Sequence, residues 1–246
     1  MIEKKADDLS NPKNYRPISI TACLCMLLER IILKRLQDYL ENNGLLMNHQ
    51  SGFRARRSTR DNLVFIIQKI REAFNRQRKA IAIFFDIEAA FDKVWHAGLI
   101  HKMTKMRVPY HIIRFVIEIL SNRSCYVKVN QCLSDQIPIT CGVSQGACLS
   151  PTLFAIFIND SPKRAKQNDE QTLLFADDTA LLKLYRNKTK KVINEINHYL
   201  AELSAWAQKW RVTLAPHKCN YIAFGRSKVD EFDLTLNGTK LKMPTT

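Results

Sequence analysis

The sequence has 246 residues, of which 46% are hydrophobic and 25% charged, a composition that excludes a disordered chain and predicts one or two folded domains. Lys and Arg number 38 against 23 Asp and Glu, and the net charge of +15 favours a polyanionic partner, either nucleic acid or an anionic membrane surface. No apolar run approaches the ~18 residues of a membrane-spanning helix and the start lacks a signal peptide, so we expect an intracellular protein without membrane binding.

Two helices are predicted in the first third of the chain. Apolar residues at helical spacing over Thr21–Asn43 indicate a core-facing helix, which Gly44 can end. The second helix begins near Ser58, where Asp61 completes a pattern similar to a capping box. The apolar residues are Leu24, Leu28, Ile31, Leu36 and Leu40 in the first helix, and Leu63, Ile66, Ile67, Ile70 and Phe74 in the second.

The rest of the chain alternates predicted strands and helices. Strands are predicted at Ala80–Phe85, in a hairpin of Cys125–Asn130 and Leu133–Thr140, twice within Leu173–Leu184, and at Tyr221–Phe224. Helices are predicted at Pro109–Leu120, from Pro151 with Ser150 as N-cap, and at Thr189–Trp210. This order predicts an α+β fold whose sheet carries helices on one face. Seven cysteines lack the paired spacing of zinc or redox sites, so we assign them to packing rather than to metal binding.

Three aspartates stand where apolar strands end. Asp86 directly follows Ala80–Phe85, and Asp177 and Asp178 interrupt the apolar stretch Leu173–Leu182. A carboxylate in apolar surroundings is costly without a cation or hydrogen-bond donors, and converging carboxylates cannot all stay ionised. Divalent cations, Mg²⁺ above all, would relieve this repulsion, and a pair of them can stabilise the attacking and leaving oxygens of phosphoryl transfer. A solvated surface turn is the alternative interpretation of the Asp-Asp pair.

Six short motifs follow one another along nearly the whole chain. They are Asn14-Tyr-Arg-Pro-Ile-Ser-Ile20, Gln50-Ser-Gly-Phe-Arg54, Phe85-Asp-Ile-Glu-Ala-Ala-Phe-Asp-Lys-Val-Trp95, Gly142-Val-Ser-Gln-Gly-Ala-Cys-Leu-Ser-Pro151, Phe175-Ala-Asp-Asp178, and the segment from Trp210 to Phe224. In this order they resemble the two fingers motifs and palm motifs A to D of reverse transcriptases from non-LTR, LINE-type retrotransposons, most closely the jockey-like group. The resemblance implies a right-hand polymerase with fingers and a mainly antiparallel palm sheet packed on helices, the thumb missing.

The resemblance implies an RNA-directed DNA polymerase, and it implies roles for individual residues. Asp86, Asp177 and Asp178 would be catalytic and would hold two Mg²⁺ ions, for which Mn²⁺ could substitute. Lys218 would protonate the departing pyrophosphate, although a structural or phosphate-binding lysine is an equal alternative. Phe91 would be the aromatic gate that collides with a ribose 2′-OH, and its alternative is a core aromatic.

The implied nucleotide pocket and template surface are more polar. Gln145 and Gly146 would line the pocket, and Arg16, with Lys13, would hold the triphosphate through phosphate contacts. The implied template contacts are Arg54, Arg56, Arg57 and Arg60. A solvated side chain is the alternative for Arg16, and a solvated loop for the template cluster. Ser144 departs from the proline that this family commonly has before the Gln-Gly pair, which should slightly loosen the turn.

The implied domains are fingers over residues 1–79, a palm over 80–241 with a fingers insertion around 99–140, and the truncated start of a palm–thumb connection at 242–246. RNA template, DNA primer and dNTPs would be the partners, in the nucleus and cytoplasm. An endonuclease domain and a nucleic-acid-binding segment are expected in the full element. The chain could be an incomplete or inactive fragment. The rival functions are a catalytically inactive nucleic-acid-binding remnant and an RNA-dependent RNA polymerase, against which Phe91 argues.

Overall fold

The computed structural model describes residues 2–3, 15–16, 18–129, 132–162, 169–225 and 230–244. The chain forms two compact units, the first from residues 1–45 and 91–157 and the second from residues 46–90 and 158–246. Each unit therefore joins segments that are distant in sequence. The domain boundaries expected after residues 79 and 241 stay a prediction.

Helices and strands alternate along the described part of the chain. In chain order they are β1 (Ile2–Glu3), β2 (Tyr15–Arg16), α1 (Cys23–Asn42), α2 (Thr59–Asn75), β3 (Lys79–Phe85), α3 (His96–Lys105), α4 (Tyr110–Leu120), β4 (Ser124–Cys125), β5 (Lys128–Val129), β6 (Cys132–Leu133), β7 (Ile137–Pro138), α5 (Ser150–Ile158), β8 (Glu170–Phe175), β9 (Asp178–Tyr185), α6 (Lys190–Lys209), β10 (Asn220–Phe224), β11 (Thr235–Leu236) and β12 (Thr239–Lys240). No helix in these described ranges is both long and apolar enough to cross a membrane.

A four-stranded antiparallel sheet in the order β10-β3-β9-β8 forms the centre of the second unit. Across β3 and β9, Phe85 pairs with Thr179. Across β8 and β9, Phe175 pairs with Asp178, so a two-residue turn joins these strands. This register brings the end of β3 and the β8–β9 turn to the same end of the sheet. The predicted mixture of helices with a mainly antiparallel sheet is confirmed.

Helices cover both faces of this sheet. Phe65 and Ile70 of α2 pack against the buried cluster around Ala82. Side chains alternate between faces along a strand, and Phe85 on the opposite face contacts the ring of Tyr199 in α6 at a centroid distance of 6.0 Å. The prediction of helices on one face is therefore wrong. The apolar run of β3 carried the signal, because a strand covered on both faces has no polar alternation.

Buried charged groups tie the helices of the first unit together. Lys102 of α3 donates from Nζ to the backbone oxygen of Phe157 in α5. Glu29 of α1 accepts hydrogen bonds from the backbone N–H groups of Cys148, at 2.8 Å, and Leu149, at 3.4 Å. Glu29 therefore holds α1 against the fourth motif just before α5, and Lys102 holds α3 against the end of α5.

The predicted helices α1, α2, α4, α5 and α6 are confirmed, but their apolar faces are only partly buried. In α1, Leu36 and Leu40 are fully buried, whereas Leu24 is 81% exposed and Leu28 and Ile31 are also exposed. The prediction that the whole helix faces the core is therefore wrong for its N-terminal half. Helical periodicity identifies an apolar stripe but not how far neighbouring elements extend along it. In α2, Leu63 and Ile67 are likewise exposed.

One capping box and one hairpin form where the sequence predicts them, whereas three other elements were not predicted. The Ser58 backbone N–H donates to Asp61 Oδ2 at 2.6 Å, which supports the predicted capping box. The predicted hairpin after α4 forms the nested pairs β4–β7 and β5–β6. Helix α3 and the β1–β2 and β11–β12 pairs were not predicted. The Asn237-Gly238 turn between β11 and β12, with both residues at positive φ, is a strong hairpin signal that the sequence interpretation overlooked.

Candidate functional site

The three predicted catalytic aspartates lie at one end of the second unit's sheet. Asp86 follows the last residue of β3, Asp177 occupies the β8–β9 turn, and Asp178 begins β9. Because Phe85 pairs with Thr179, the preceding position on β9 brings Asp178 beside Asp86 across the two strands. The apolar interiors of these strands fix the register, since a one-residue slip would turn buried side chains to the other face.

The β8–β9 turn is held by a segment that lies far away in sequence. Ala176 adopts φ +57°, an unusual conformation for a residue with a side chain. The buried side chain of Gln50 accepts hydrogen bonds at Oε1 from the Ala176 N–H, at 3.3 Å, and the Gly52 N–H, at 2.9 Å. A Cβ on Gly52 would lie 2.2 Å from the Ala176 nitrogen. Gln50 and Gly52 therefore hold the turn that carries Asp177 in place, one through hydrogen bonds and the other through close packing.

Neighbouring residues make further hydrogen bonds to β8. The Ser51 N–H donates to the Leu174 backbone oxygen at 3.0 Å, and Asn62 Nδ2 donates to the same oxygen at 2.9 Å. The Ser51 hydroxyl in turn bonds to Asn62 Oδ1 at 2.9 Å. Sequence interpretation assigned this motif to the fingers and missed its contacts with the Asp-Asp turn. The only sequence signal was an amide side chain, Gln50, followed by the two small residues Ser51 and Gly52.

The negative charges at this end of the sheet affect the ionisation of Asp178. Desolvation by partial burial raises the pKa of Asp178, and the negative charges of Asp177 and Asp86 raise it further. Desolvation and like charges both favour the protonated carboxyl. Asp86 and Asp177 therefore act on Asp178 through their charges, and a bound cation would oppose the upward shift of the Asp178 pKa.

Lys218 is the cation that the structure brings to this end of the sheet. Its Nζ lies 3.2 Å from Asp86 Oδ2, and the lysine side chain is 59% exposed. The contact is an ion pair by distance only, because its angles do not meet hydrogen-bond geometry and Asp86 Oδ2 has no hydrogen-bond donor among the described residues. We therefore treat it as a loose, solvent-screened contact. Backbone hydrogen bonds position Lys218. The Ala215 N–H donates to the Asp86 backbone oxygen, and the Lys218 N–H donates to the Ala215 backbone oxygen, both at 2.9 Å.

The residues at this end of the sheet fit a divalent cation. Asp86 Oδ2 is a buried carboxylate oxygen without a hydrogen-bond donor in the described part of the chain, and metal coordination would satisfy it. No three His, Cys, Asp or Glu side chains in the described ranges form a ready-made metal cluster. Mg²⁺ needs none, because it is commonly held by one or two carboxylates together with substrate phosphates and water. Convergence of all three carboxylates on one ion stays a prediction.

The first unit contains the other predicted pocket residues. The half-buried ring of Phe91 stacks on Phe154, with centroids 4.9 Å apart and planes 25° apart. Gln145 donates from Nε2 to Asp92 Oδ1 at 2.8 Å, and its backbone oxygen accepts from the Ser19 N–H at 2.8 Å. Gly146 follows at φ +110°. Phe91 thus has one ring face in the core, and its gating role stays a prediction.

Arg123 holds the loop before Gln145, a role that the sequence did not suggest. Its Nη1 donates to the Gly142 oxygen and its Nη2 to Ser144 Oγ, each at 2.9 Å. Partial burial lowers the Arg123 pKa. A proline at position 144 could not accept this bond. The serine was expected to loosen the turn, whereas its hydroxyl adds a bond that stabilises it.

The predicted template residues differ in their surroundings. Arg54 donates from Nη1 to the backbone oxygens of Met47, at 2.8 Å, and Gln50, at 3.3 Å, so part of its guanidinium serves the loop. Arg57 also donates to a backbone oxygen, and Arg56 and Arg60 are exposed. Lys13 and the side chain of Arg16 lie outside the described residues. The template and triphosphate roles therefore stay predictions.

The motifs agree with a comparison against protein families. Residues 2–235 match the family model described as reverse transcriptase (RNA-dependent DNA polymerase). Among similar curated proteins is the RNA-directed DNA polymerase from mobile element jockey of Drosophila melanogaster, 31% identical over 250 residues, covering 98% of this chain and 27% of that protein. The probable RNA-directed DNA polymerase from transposon BS of the same organism is 34% identical over 224 residues, covering 89% and 24% respectively. The chain spans about a quarter of the length of these relatives.

Solved structures agree on the fold. Apo telomerase from Candida tropicalis superposes with a TM-score of 0.61 at 16% identity, covering 83% of this chain and 37% of that one. A form of the same protein truncated from its C-terminal domain gives a TM-score of 0.58 at 16% identity, covering 88% and 43%. At this identity the likeness concerns the fold alone.

Proposed function

We propose, from the premise that the chain belongs to the reverse transcriptase (RNA-dependent DNA polymerase) family, that it copies RNA into DNA as the polymerase of a non-LTR retrotransposon. The observation that carries this proposal is the shared sheet end of Asp86, Asp177 and Asp178. Supporting it are the buried Asp86 Oδ2, which has no hydrogen-bond donor among the described residues, and the raised pKa of Asp178. A template and a primer are the nucleic acids that such a reaction requires. The substrates would be dNTPs, the template RNA and the primer DNA.

The family uses divalent metal ions, and we propose two Mg²⁺ ions at Asp86 and Asp177, with Asp178 beside them. Mn²⁺ would substitute. When bound, such ions stabilise the charge on the attacking and leaving oxygens. The chain's own contribution is to fix the carboxylates: the β3–β9 register sets Asp86, and the Gln50–Ala176 bond sets the turn of Asp177. A fixed turn matters because in-line attack tolerates little displacement.

Lys218 would protonate the departing pyrophosphate. The 3.2 Å distance between its Nζ and Asp86 Oδ2 supports this role, because the ammonium lies at the carboxylate end of the sheet. Phe91 would exclude the ribose 2′-OH, and Gln145 and Gly146 would line the nucleotide pocket. Lys13 and Arg16 would bind the triphosphate.

The template would contact the basic loop after β2 and α1. Its proposed ligands are Arg54, Arg56, Arg57 and Arg60, of which Arg56 and Arg60 are exposed to solvent. In the whole element, an endonuclease domain and a nucleic-acid-binding segment would accompany this chain. The protein would act inside the cell, in the nucleus and cytoplasm.

Primer extension on poly(rA) annealed to oligo(dT) tests the function. We expect incorporation of dTTP, dependent on Mg²⁺, with little incorporation of UTP when the two compete. Preference for UTP would contradict reverse transcription and favour an RNA polymerase. No extension of primers that the chain binds would favour a catalytically inactive nucleic-acid-binding remnant.

Replacing Phe91 by Val should relax sugar selection. The smaller side chain lacks four of the carbons of Phe and so removes bulk beside the 2′ position. The ratio of rNTP to dNTP incorporation should therefore rise at least about tenfold, the lower end of the effect of a single methylene in a binding pocket. Single-nucleotide incorporation with dTTP and UTP measures this ratio. Phe224→Val, at another half-buried phenylalanine, is the matched control and should leave the ratio unchanged. An unchanged ratio in Phe91→Val would make Phe91 a core residue only.

A further inference from the structure

The end of the sheet opposite the aspartates is also strongly charged. Lys79, the first residue of β3, pairs with Tyr185, the last residue of β9. Six residue steps separate Thr179 from Tyr185 along β9, which corresponds to roughly 20 Å at the rise of a strand. This distal end is therefore well separated from the candidate metal site within the same unit.

Acidic side chains at the distal end are neutralised by neighbouring cations. Asp169 accepts two hydrogen bonds from Arg78, one of them 2.8 Å long, and this pairing lowers the Asp169 pKa despite partial burial. Asp230 binds Lys79 at 3.0 Å and the Tyr185 hydroxyl at 3.1 Å. Each of these carboxylates accepts two hydrogen bonds, and charge-assisted contacts of this kind are stronger than neutral hydrogen bonds.

Two glutamates share a single buried lysine. Lys183, which is almost fully buried, forms ion pairs with Glu170 and with Glu195, the latter at 2.7 Å. A buried charge must be paired, so this network is a fixed part of the fold. One lysine balances only one of the two glutamate charges, so the network leaves one negative charge, and Glu195 is the more exposed of the two glutamates.

Five exposed cations lie near this network and outnumber the one negative charge that it leaves, and we call them the distal basic patch. They are Arg76, Arg186, Lys188, Lys190 and Lys191. Two of them also attract the paired aspartates, Arg76 acting on Asp169 and Lys188 on Asp230. None of the five forms an ion pair within the part of the chain that the structure describes. Two members of the patch, Arg186 and Lys191, line a concave surface of about 410 Å³. Its other charged lining residues are Arg78, Lys183, Asp169 and Glu195, so four cations face two carboxylates there.

The start of α6 adds to this positive potential. Lys190 and Lys191 occupy its first turn, where the helix dipole disfavours cations, and the described first turn contains no acidic residue. Thr189 Oγ1 accepts from the Val192 N–H at 3.3 Å, so the helix start is ordered. Concentrating like charges at this position costs stability unless an anion offsets them.

We propose that the distal basic patch binds the phosphodiester backbone of a nucleic-acid strand, as a second contact separate from the candidate catalytic end. The choice of nucleic acid over another polyanion rests on the proposed function, because a polymerase already holds a strand. A strand extending from the aspartates would need at least about six nucleotides to reach the patch, at about 3.4 Å for each phosphate. Strands shorter than this would not contact both ends.

Salt-dependent binding tests the proposal without requiring catalysis. A variant with Arg76→Gln, Arg186→Gln, Lys188→Gln, Lys190→Gln and Lys191→Gln is compared with the wild-type chain. Fluorescence anisotropy between 50 and 300 mM KCl, with single-stranded RNA and DNA of about 30 nucleotides and identical sequence, gives log affinity against log salt. Each lost single-strand phosphate contact lowers the slope by about 0.7, so we expect a decrease of about 3.5 with either nucleic acid.

A matched variant removes five exposed cations from the first unit instead. It carries Arg30→Gln, Arg35→Gln, Lys105→Gln, Arg107→Gln and Arg114→Gln, all at exposed positions. We expect a clearly smaller decrease in slope than for the patch variant. Equal decreases, or an unchanged slope in the patch variant, would overturn the proposal. The double variant Lys188→Gln/Lys190→Gln, with an expected decrease of about 1.4, covers the case in which five substitutions impair folding.

The proposal and the proposed function can fail separately. If the chain does not extend primers but the slope of log affinity against log salt decreases in the patch variant as expected, nucleic-acid binding by the patch is supported and the catalytic proposal is contradicted. If the chain extends primers and the slope is unchanged, the catalytic proposal stands and the patch is contradicted. A poly-glutamate competitor that displaces RNA from the control variant but not from the patch variant would support the patch as the polyanion site.

Discussion

Replacing Asp177 by Asn should reduce RNA-templated primer extension by at least about 1000-fold while leaving RNA binding within about twofold of wild type. The substitution keeps the shape of the side chain but removes one of the two carboxylate charges that we propose bind metal. Metal-assisted charge stabilisation contributes several kcal/mol to such reactions, and about 4 kcal/mol corresponds to 1000-fold. Single-turnover extension on poly(rA) and oligo(dT) measures the effect.

Asp38→Asn is the control for this substitution. Asp38 is an exposed carboxylate that pairs with Lys34 at 2.7 Å on α1, a contact of small energetic value. Extension by Asp38→Asn should match wild type. Extension by Asp177→Asn within tenfold of wild type would contradict a metal-binding role for the β8–β9 turn.

Replacing Gly52 by Ala should lower extension by about 100-fold and destabilise the second unit. The added Cβ would lie 2.2 Å from the Ala176 backbone nitrogen, a distance that requires the turn to move by about 1 Å. Displacement of that size in a catalytic constellation costs on the order of 100-fold in rate, and overpacking costs about 1–3 kcal/mol of stability. Both the extension rate and the thermal midpoint should therefore decrease.

Gly44→Ala distinguishes the clash from the general cost of losing glycine. Gly44 adopts φ +58° but has nothing within 4 Å of an added Cβ. We expect a destabilisation of about 1–2 kcal/mol from the left-handed backbone and no specific loss of extension in the folded protein. If Gly52→Ala extends primers as well as Gly44→Ala at equal folded fraction, Gly52 does not position the turn.

The placement of the three aspartates at one end of the sheet was predictable because its signals are local. Asp86 and the Asp177-Asp178 pair each stand directly beside apolar strands, and this conflict between charge and burial is visible in a single sequence. The strands could be predicted for the same reason. Their antiparallel pairing then determined that the three aspartates share one end of the sheet.

The contacts that hold the site were not predictable because they join distant segments. Gln50 accepts from a backbone N–H 126 positions away, and nothing in its neighbours specifies that partner. Arg123 is similar, since its bond to Ser144 depends on how the hairpin between them folds. The exposed N-terminal half of α1 shows the same limit, because periodicity describes one helix and not the elements that surround it.

Manganese binding tests the central claim most directly. Electron paramagnetic resonance can count Mn²⁺ bound to the chain in complex with an RNA template, a dideoxy-terminated DNA primer and the matching dNTP, after subtraction of the same mixture without protein. We predict that the wild-type chain binds Mn²⁺ at least tenfold more tightly than the Asp86→Asn/Asp177→Asn double variant. Equal affinity of the two proteins, with primer–template binding intact in both, would contradict a metal site at this end of the sheet.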